Sequence, residues 1–350
     1  MLVHTDCRQY RGDLPCKPHK TQGVHCKDCA LYDPVDNKIL IIKLGAIGDV
    51  IRTTPLLRKI KEVHPHALVH WLTRTPEVVS SAVDRIFRFR CEDVETIRST
   101  PYDLLFNLDK DREACALATA VQSKTKKGFL LKDGNCWPSD EPARHKWISG
   151  LFDDENRKNT KSYPQEIFEI CGFEFRGEEY MLEIEPQKEW DVPDAKSVVG
   201  LNTGCGERWK SRLWPESYWI SLARLLKQDG FEVIFLGGKQ EHEKNRKLST
   251  ETGGLYFGHF PLPVFMDLMN QCDLIVTAVT MALHIALGLG KRVVLFNNIF
   301  NRHEFELYGR GVVVEPDREC KGCFMNDCEE SCMDRIQPET VFLKVQSLLP

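Results

Sequence analysis

The sequence predicts an α/β protein with two halves, each built around a parallel β-sheet. Short runs of aliphatic and β-branched residues alternate with helical patterns along most of the chain. A strand, a glycine-containing loop and a helix follow one another from residue 38 and again from residue 197. The length of 350 residues suits two domains of roughly 100–200 residues each. We therefore expect an N-terminal domain over 38–190 and a C-terminal domain over 191–315.

The individual elements follow from local patterns. The run at 39–44 is almost entirely aliphatic, as is typical of a parallel strand that is covered on both faces. The other expected strands of the N-terminal half cover 67–72, 103–108 and 126–131, and its expected helices cover 50–63 and 111–122. In the C-terminal half we expect strands at 197–202, 232–236, 273–277 and 292–296, and helices at 215–229, 241–252 and 280–288.

Composition excludes several classes of protein. Hydrophobic residues make up 42% of the chain and charged residues 28%, which is ordinary for a globular protein. The net charge of −4 argues against a general nucleic-acid-binding surface. No apolar run reaches the roughly 18–20 residues that a bilayer requires, and the N-terminus has no apolar segment of signal-peptide length. We expect a cytoplasmic protein with at most a peripheral contact to the inner membrane.

The loop at 43–50 joins the first strand to the first helix. It lies at the carboxyl edge, where open α/β sheets bind their ligands. Gly45 and Gly48 allow a tight turn after Lys43, in a spacing that is neither a dinucleotide-binding fingerprint nor a Walker loop. Asp49 stands at the helix start, where it is either an N-cap or a catalytic carboxylate. The spacing alone leaves both interpretations open.

The loop at 203–215 occupies the equivalent position in the second half. It begins with Thr203 and Gly204, and it then brings three cations together, Arg208, Lys210 and Arg212. Cations beside a glycine-containing loop suit an anionic ligand such as a diphosphate. We therefore expect this loop to bind an anion.

A third loop, at 276–284, again joins a strand to a helix. The N–H groups at that helix start are expected to hold phosphate, which places Thr280, Met281 and Ala282 at the site. His284 lies one turn further on. It either reaches the ligand or packs in the core beneath the sheet.

These motifs resemble a known family. The stretch KLGAIGDVIRTTPLL at 43–57 resembles the opening signature of glycosyltransferase family 9, the ADP-heptose:lipopolysaccharide heptosyltransferases. The similarity covers roughly residues 38–315, through 103–108, 127–129, Trp214-Pro215, Gly237-Gly238 with Glu241, and 280–284. The resemblance implies a GT-B fold, with two Rossmann-like domains facing a cleft. It places the acceptor mainly on the N-terminal half and the nucleotide sugar mainly on the C-terminal half.

The resemblance also implies a chemistry. Asp49 matches the family's catalytic Asp, and Arg212 occupies the position of its diphosphate-binding Lys. An inverting transfer of heptose from ADP-heptose to an acceptor hydroxyl is then expected, with no metal ion required for transfer. Gly237, Gly238 and Glu241 are the candidates to contact the nucleoside. Lys124, Lys126 and Lys127 would form a basic patch beside Arg52 for a phosphorylated lipopolysaccharide core, or they are a solvated lysine cluster.

One stretch departs from the family pattern. Where the family has Asp-Thr-Gly, this chain has Val279-Thr280-Met281. The residues at 280–284, 296–301 and 304–311 resemble the autotransporter-heptosyltransferase branch, which glycosylates protein and carries a cysteine-bound iron near its C-terminus. The resemblance therefore leaves a protein acceptor open, together with a homo-oligomer.

Cysteine is the unusual feature of the composition, with 14 residues. Eight of them form two terminal clusters, Cys7, Cys16, Cys26 and Cys29 within 1–37, and Cys320, Cys323, Cys328 and Cys332 within 316–350. Four thiolates at short spacing suit tetrahedral Zn or Fe, and His19 and His25 are possible substitutes in the first cluster. We expect both clusters to be structural, and a helix to follow the second. The six scattered cysteines are expected to be buried filler.

Two other classes of function remain open on the sequence. Clustered cysteines also occur in iron–sulfur and other redox proteins, although these spacings differ from the ferredoxin runs. A sugar-nucleotide-binding module without turnover is the second alternative, and Asp49 argues against it.

Overall fold

The computed structural model describes residues 1–206, 209–320, 322–328 and 331–349. Two separate β-sheets lie on either side of residue 190. The strands of the first are β1 Lys38–Ile42, β2 Leu68–Thr73, β3 Arg85–Arg88, β4 Tyr102–Asn107, β5 Ser123–Lys132 and β6 Asn135–Pro138. Their order is β3-β2-β1-β4-β5-β6, with only β6 antiparallel to its neighbour.

The second sheet is parallel throughout. Its strands are β7 Val198–Asn202, β8 Glu232–Leu236, β9 Leu274–Ala278, β10 Arg292–Phe296 and β11 Gly311–Val314. The order is β11-β10-β9-β7-β8. All the strands expected from the sequence are present, whereas β3, β6 and β11 were not predicted. These three are four-residue edge strands; β3 and β6 have no clear hydrophobic pattern, whereas the valines of β11 were a usable signal.

Helices flank both sheets. In the N-terminal part they are α1 Lys17–Gln22, α2 Ile47–Ile51, α3 Pro55–Val63, α4 Cys91–Arg98, α5 Arg112–Ala120, α6 Glu141–Ser149, α7 Asp153–Lys158 and α8 Tyr163–Cys171. In the C-terminal part they are α9 Glu216–Gln228, α10 His242–Thr252, α11 Leu262–Asn270, α12 Met281–Gly288 and α13 Pro338–Leu348. The single helix expected at 50–63 is wrong. It is divided into α2 and α3, because Pro55 lacks a backbone N–H and is suited to the first turn of a new helix.

The two halves contact each other where α12 packs against α2. The strand β1 is buried on both faces from Ile39 to Ile42, as its sequence predicts for a central parallel strand. The C-terminal helix α13 packs on α9 and so belongs with the second sheet. The sheets lie on either side of the expected division near residue 190, and the domain boundaries themselves stay a prediction. Across the described ranges, no helix is both long and apolar enough to cross a bilayer.

Candidate active site

A cleft of about 590 Å³ separates the carboxyl edges of the two sheets. The strand order reverses between β1 and β4 in one sheet and between β7 and β9 in the other, and such switch points are where α/β sheets bind ligands. The sequence-predicted site residues that line this cleft are Gly48, Asp49, Gly204, Arg212, Gly238, Glu241, Thr280, Met281, Ala282 and His284. Both halves of the chain therefore contribute to a single site.

Asp49 lies in the first turn of α2 but does not cap it. The N-cap is Ala46, and the helix has no side-chain cap. The Asp49 carboxylate instead accepts a bond of 2.8 Å from Arg52 and lies 4.0 Å from the Lys43 ammonium. Burial raises the pKa of Asp49, but the charges of Arg52 and Lys43 more than offset burial and lower it to about 2. The carboxylate is therefore ionised at neutral pH, with its side chain 35% exposed in the cleft.

A second carboxylate, that of the buried residue Asp109, holds this loop in place. Asp109 accepts hydrogen bonds from the backbone N–H of Leu44 at 2.7 Å and of Gly45 at 3.4 Å, and it lies 3.5 Å from the Lys43 ammonium. Burial lowers the pKa of Lys43, but Tyr163, Asp49 and Asp109 together raise it above its ordinary value. The Lys43 ammonium thus lies between two carboxylates. It holds Asp49 in place and does not line the cleft.

His284 joins the two halves at this point. A Cβ on Gly48 would lie 2.6 Å from the His284 ring, so only glycine allows α12 to approach α2 this closely. The other side of the ring contacts the Tyr180 hydroxyl, 3.4 Å from Nδ1. Burial, followed by the charge of Arg52, lowers the pKa of His284 to about 3. The imidazole is therefore neutral, and it both packs in the interface and borders the cleft.

Arg212 is a buried cation without a carboxylate partner among the described residues. Its guanidinium donates to the carbonyl oxygens of Val279 and of Cys205, the latter at 2.7 Å, while Nε has no partner in the described part of the chain. Burial lowers the pKa of Arg212 to about 10. Because Val279 stands where the resembled family has an Asp, this position supplies a carbonyl and no negative charge. The cleft wall therefore carries a positive charge that an anionic ligand would neutralise.

The start of α12 is partly satisfied within the protein. The Thr280 hydroxyl accepts a bond of 3.2 Å from the N–H of Ala282, and it also accepts from the Asn202 amide at 3.3 Å. The Ala282 N–H that was expected to contact phosphate is thus already engaged by Thr280. Thr280 is the N-cap, and its position fixes the start of the helix beside the Arg212 guanidinium.

Glu241 closes the opposite end of the cleft. Its carboxylate accepts from the N–H of Gly238 at 2.9 Å, and a Cβ on Gly204 would lie 2.4 Å from its carboxyl carbon. A side chain at Gly204 would therefore displace the Glu241 carboxylate from its present position. This arrangement leaves an acidic acceptor at the edge of the site, where it can bind hydroxyl groups.

The comparison with known sequences decides the family. The sequence pattern of glycosyltransferase family 9 (heptosyltransferase) matches residues 93–333.

The chain belongs to glycosyltransferase family 9.

Similar proteins agree with this assignment. Lipopolysaccharide heptosyltransferase 2 of Salmonella typhimurium LT2 is 20% identical over 291 residues, which cover 73% of this chain and 81% of that protein. The glycosyltransferase family 9 structure from Veillonella parvula superposes with a TM-score of 0.72 at 17% identity, over 90% of this chain and 97% of that one. The structure of E. coli ADP-heptose LPS heptosyltransferase II gives 0.67 at 16% identity, over 89% and 98%.

The GT-B fold is confirmed by the two sheets and by these superpositions. The chain is accordingly a glycosyltransferase of the heptosyltransferase family, not a redox protein or a binding module without turnover. The branch within the family stays a prediction.

Other sequence-predicted residues of this glycosyltransferase lie next to the cleft. Gly45 and Gly237 belong to its loops without lining it. The Thr203 hydroxyl donates to Asn245 in α10 at 2.6 Å and so connects the loop to a helix. Lys210 lines a separate cavity near the C-terminal cysteines, since it and Arg212 lie on different sides of one 3-10 turn. Arg208 lies outside the described residues.

Sequence reasoning missed several residues of the site. Asp109 lies two residues after the end of β4, the strand next to β1, and that position was a usable signal. Arg52 enters the sequence prediction only as the neighbour of a lysine patch, whereas it pairs with Asp49 and lies 3.6 Å over the Tyr163 ring. Trp209 and Phe300 line the cleft beside Arg212. No local sequence pattern predicts their place in the site, because they come from different loops.

The expected lysine patch is not beside Arg52. Lys124 begins β5 at the amino edge of the sheet, where it pairs with Asp103 at 2.7 Å. Lys126 donates to the Thr119 carbonyl, and Lys127 lies 3.6 Å from Asp140. Successive residues of a strand point to opposite faces, so Lys127 points away from the face that Lys124 and Lys126 share. The patch prediction is wrong in this respect.

Each terminal cysteine cluster surrounds one cavity. Cys7, Cys16, Cys26 and Cys29 line a cavity of about 200 Å³, and Cys320, Cys323, Cys328 and Cys332 line one of about 130 Å³. All are free thiols. Within the described ranges, no group of three or more His, Cys, Asp or Glu is arranged to hold a metal ion. Metal at either cluster therefore stays a prediction. Of the six scattered cysteines, Cys91 is exposed and Cys136 half-buried, so only the other four fit the expectation of buried filler.

Proposed function

We propose that this enzyme transfers a heptose from ADP-heptose to an acceptor hydroxyl in one inverting displacement. The observation that carries the proposal is the pairing of two charges in one cleft. An ionised carboxylate, Asp49, lines it from the N-terminal half, and a buried cation without a carboxylate partner among the described residues, Arg212, lines it from the C-terminal half. Sugar transfer needs a proton acceptor on one side of the anomeric carbon and a charge sink on the other.

Asp49 is the proposed base. A pKa of about 2 makes it a weak base towards a neutral alcohol. The acceptor oxygen becomes strongly acidic once its bond to the anomeric carbon has begun to form, so the proton moves late. Asp49 then needs only to be ionised and correctly placed, which the Arg52 and Lys43 contacts ensure.

Arg212 is the proposed charge sink for the departing diphosphate. Its two carbonyl contacts fix the guanidinium in the cleft wall, where a diphosphate would lie. A fixed cation in a partly dry site stabilises developing negative charge without reorganisation. The proposal therefore requires no divalent ion for transfer, and turnover should be unchanged when Mg²⁺ is added to the assay.

The donor assignment rests on similarity to E. coli ADP-heptose LPS heptosyltransferase II. Glu241 beside Gly238 is suited to hydrogen-bond the hydroxyl groups of a ribose. Thermal-shift measurements with ADP, UDP and GDP test which nucleobase the site prefers, since stabilisation grows as RT ln(1 + [L]/Kd). ADP should give the largest shift, and a clear preference for UDP or GDP would refute the donor assignment.

The proposed acceptor is a phosphorylated lipopolysaccharide core. The relevant cation is Lys110 rather than Lys124, because Lys146 already pairs with Glu166. Burial and the neighbouring charge of Lys146 lower the pKa of Lys110, and the charge of Lys146 also reaches Asp49. Lys110→Gln should raise KM for a phosphorylated acceptor with kcat nearly unchanged, while the exposed Lys124→Gln serves as the matched control. Equal KM values for both variants would favour an uncharged acceptor, such as protein.

A lipid-linked acceptor places the enzyme at a membrane surface. Trp137, Leu151 and Phe152 are exposed apolar side chains on the N-terminal half, and Lys132 lies 4.6 Å over the Trp137 ring. Aromatic residues beside a cation suit a peripheral contact with anionic lipid. Co-flotation with anionic vesicles should fall when Trp137 and Phe152 are replaced by Ser. Unchanged flotation would remove this surface from the proposal.

The C-terminal cysteine cluster is proposed to hold a structural Zn or Fe. The Asn298 amide donates to the Cys332 sulfur at 3.2 Å and to the Ser211 carbonyl at 2.8 Å, next to Arg212. Metal bound there would stabilise the loop that carries Arg212. Cys323→Ser should lower metal content, thermal stability and ADP affinity together. Loss of metal with stability and ADP affinity both retained would contradict the role.

A further inference from the structure

Residues 1–37 are ordered without an apolar core of their own. Pro18 is the one apolar side chain buried among these described residues, and Leu2, Leu14 and Leu31 are about half exposed. The regular structure is limited to the six-residue α1 and one 3-10 turn. A segment this small has too little burial to offset its conformational entropy, so another interaction has to hold it.

Four thiols line one cavity of this segment, of about 200 Å³, where such an interaction fits. Cys7 forms a β-bridge with Pro34, and Cys16 is the N-cap residue of α1. Cys26 and Cys29 flank the 3-10 turn, and the N–H of Cys29 bonds back to the Cys26 carbonyl at 3.4 Å. This Cys-x2-Cys turn is the usual half of a tetrahedral sulfur site. All four thiols are half-buried and free.

We infer that Cys7, Cys16, Cys26 and Cys29 bind one thiophilic divalent cation of the zinc class. Four thiolates with no open position make a closed structural site. His19 is the less suitable ligand, because its Nδ1 contacts the Val24 carbonyl at 2.9 Å and closes the loop between the second and third cysteines. As placed, the thiols surround the cavity without forming a coordination shell. Metal binding would therefore draw them inward and couple directly to folding of the segment.

The position of the site shows what the metal would stabilise. Arg8, adjacent to Cys7, pairs with Asp33 at 2.7 Å and with Asp84 at 2.6 Å, and it donates to the Ala67 carbonyl at 3.0 Å. Asp84 also accepts from the Val69 N–H at 2.7 Å, so it belongs to the sheet. A metal that fixes Cys7 and the neighbourhood of Asp33 would therefore hold both partners of the Arg8–Asp33 pair in place.

This contact lies far from the chemistry. Arg8 meets the sheet where β2 begins, whereas Asp49 follows the end of β1, and a five-residue strand separates the two edges by about 16 Å. The N-terminal metal should therefore stabilise the acceptor half without entering the reaction.

The test measures zinc directly on the full-length chain. Zinc content per chain is determined for the natural protein, for Cys26→Ser/Cys29→Ser, and for Cys91→Ser, which removes an exposed thiol outside both clusters. The double variant should lose one zinc per chain and the control none. Equal zinc content in the double variant and the natural protein would overturn the inference.

A second measurement does not depend on any variant folding. The natural protein is stripped of metal, treated with iodoacetamide with and without added Zn²⁺, and digested for mass spectrometry. Zn²⁺ should slow alkylation of all four N-terminal cysteines and leave Cys91 unaffected. Equal rates with and without Zn²⁺ would refute the site, whatever the transferase activity. Arg8→Gln should keep the zinc yet release residues 1–37 to faster trypsin cleavage, since it removes the contacts to Asp84 and Ala67 together with the pair to Asp33.

Discussion

Asp49→Asn separates catalysis from folding in this enzyme. The Asn side chain keeps the shape and an oxygen that can accept from Arg52, and it removes the negative charge. The pKa of Asp49 falls from 3.8 to about 2, which sets an upper limit of about 2.4 kcal/mol on its contribution to unfolding free energy. Because the side chain is 35% exposed, screening reduces this to about 1 kcal/mol. The contribution is present above pH 3.8 and is lost as the pH falls towards 2.

The catalytic loss should be larger than the loss of stability. Removing a general base typically costs about 10²–10⁴-fold in rate, or about 2.7–5.4 kcal/mol of activation free energy. The kcat of Asp49→Asn should fall by that factor while the thermal shift produced by ADP is nearly unchanged. The assay is release of ADP from ADP-heptose in the presence of acceptor, alongside urea unfolding.

The chain offers a matched control. Asp93 also pairs with an arginine three positions away at 2.8 Å, at the start of α4 and outside the cleft. Asp93→Asn should lower stability and leave kcat unchanged. Near-normal turnover of Asp49→Asn, or an equal loss of kcat in both variants, would refute the assignment of Asp49 as the base.

Three further expectations follow from the geometry. Arg212→Met should raise the Tm of the nucleotide-free enzyme and reduce the shift given by ADP, because burial already lowers the pKa of Arg212 to about 10; an undiminished ADP shift would contradict its role. Gly48→Ala should destabilise the protein by about 1–3 kcal/mol in urea unfolding, since its Cβ would clash with His284, whereas Gly45→Ala, with no atom within 4 Å, should be tolerated. Burial lowers the pKa of His284 to about 3 and of His70 to about 4, so unfolding takes up protons below pH 6.5; the free energy of unfolding should fall between about pH 6.5 and 4, and a flat profile would contradict their burial as neutral groups.

The sequence was most informative where the pattern is local. The aliphatic run of β1 and the Gly48-Asp49 turn predict both an element and a site, because a central parallel strand and the loop after it need no distant partner to be identified. The split at Pro55 was equally local and was overlooked. The family resemblance added the GT-B fold, which composition and spacing did not specify.

What the sequence could not show depends on residues far apart in the chain. Asp109 supports a loop more than 60 positions earlier, and Arg212 owes its lack of a carboxylate partner in the described chain to Val279 on another loop. The two interpretations left open for His284 prove compatible, since it packs against Gly48 and also borders the cleft. The lysines of β5 are close in sequence, which favours a single patch. A strand, however, directs neighbouring residues to opposite faces.

The guanidinium of Arg212, which has no carboxylate partner in the described ranges, has a kinetic consequence. The donor and the ADP product both carry a diphosphate that can neutralise this guanidinium. When either of them dissociates, the buried charge of Arg212 is again without a counterion from the ligand. After transfer, the negative charge on ADP is greater than on the sugar nucleotide, and the attraction is therefore strongest for the product. ADP should dissociate slowly, compete with the donor and limit turnover. Raising the ionic strength should increase the steady-state rate of turnover while weakening donor binding.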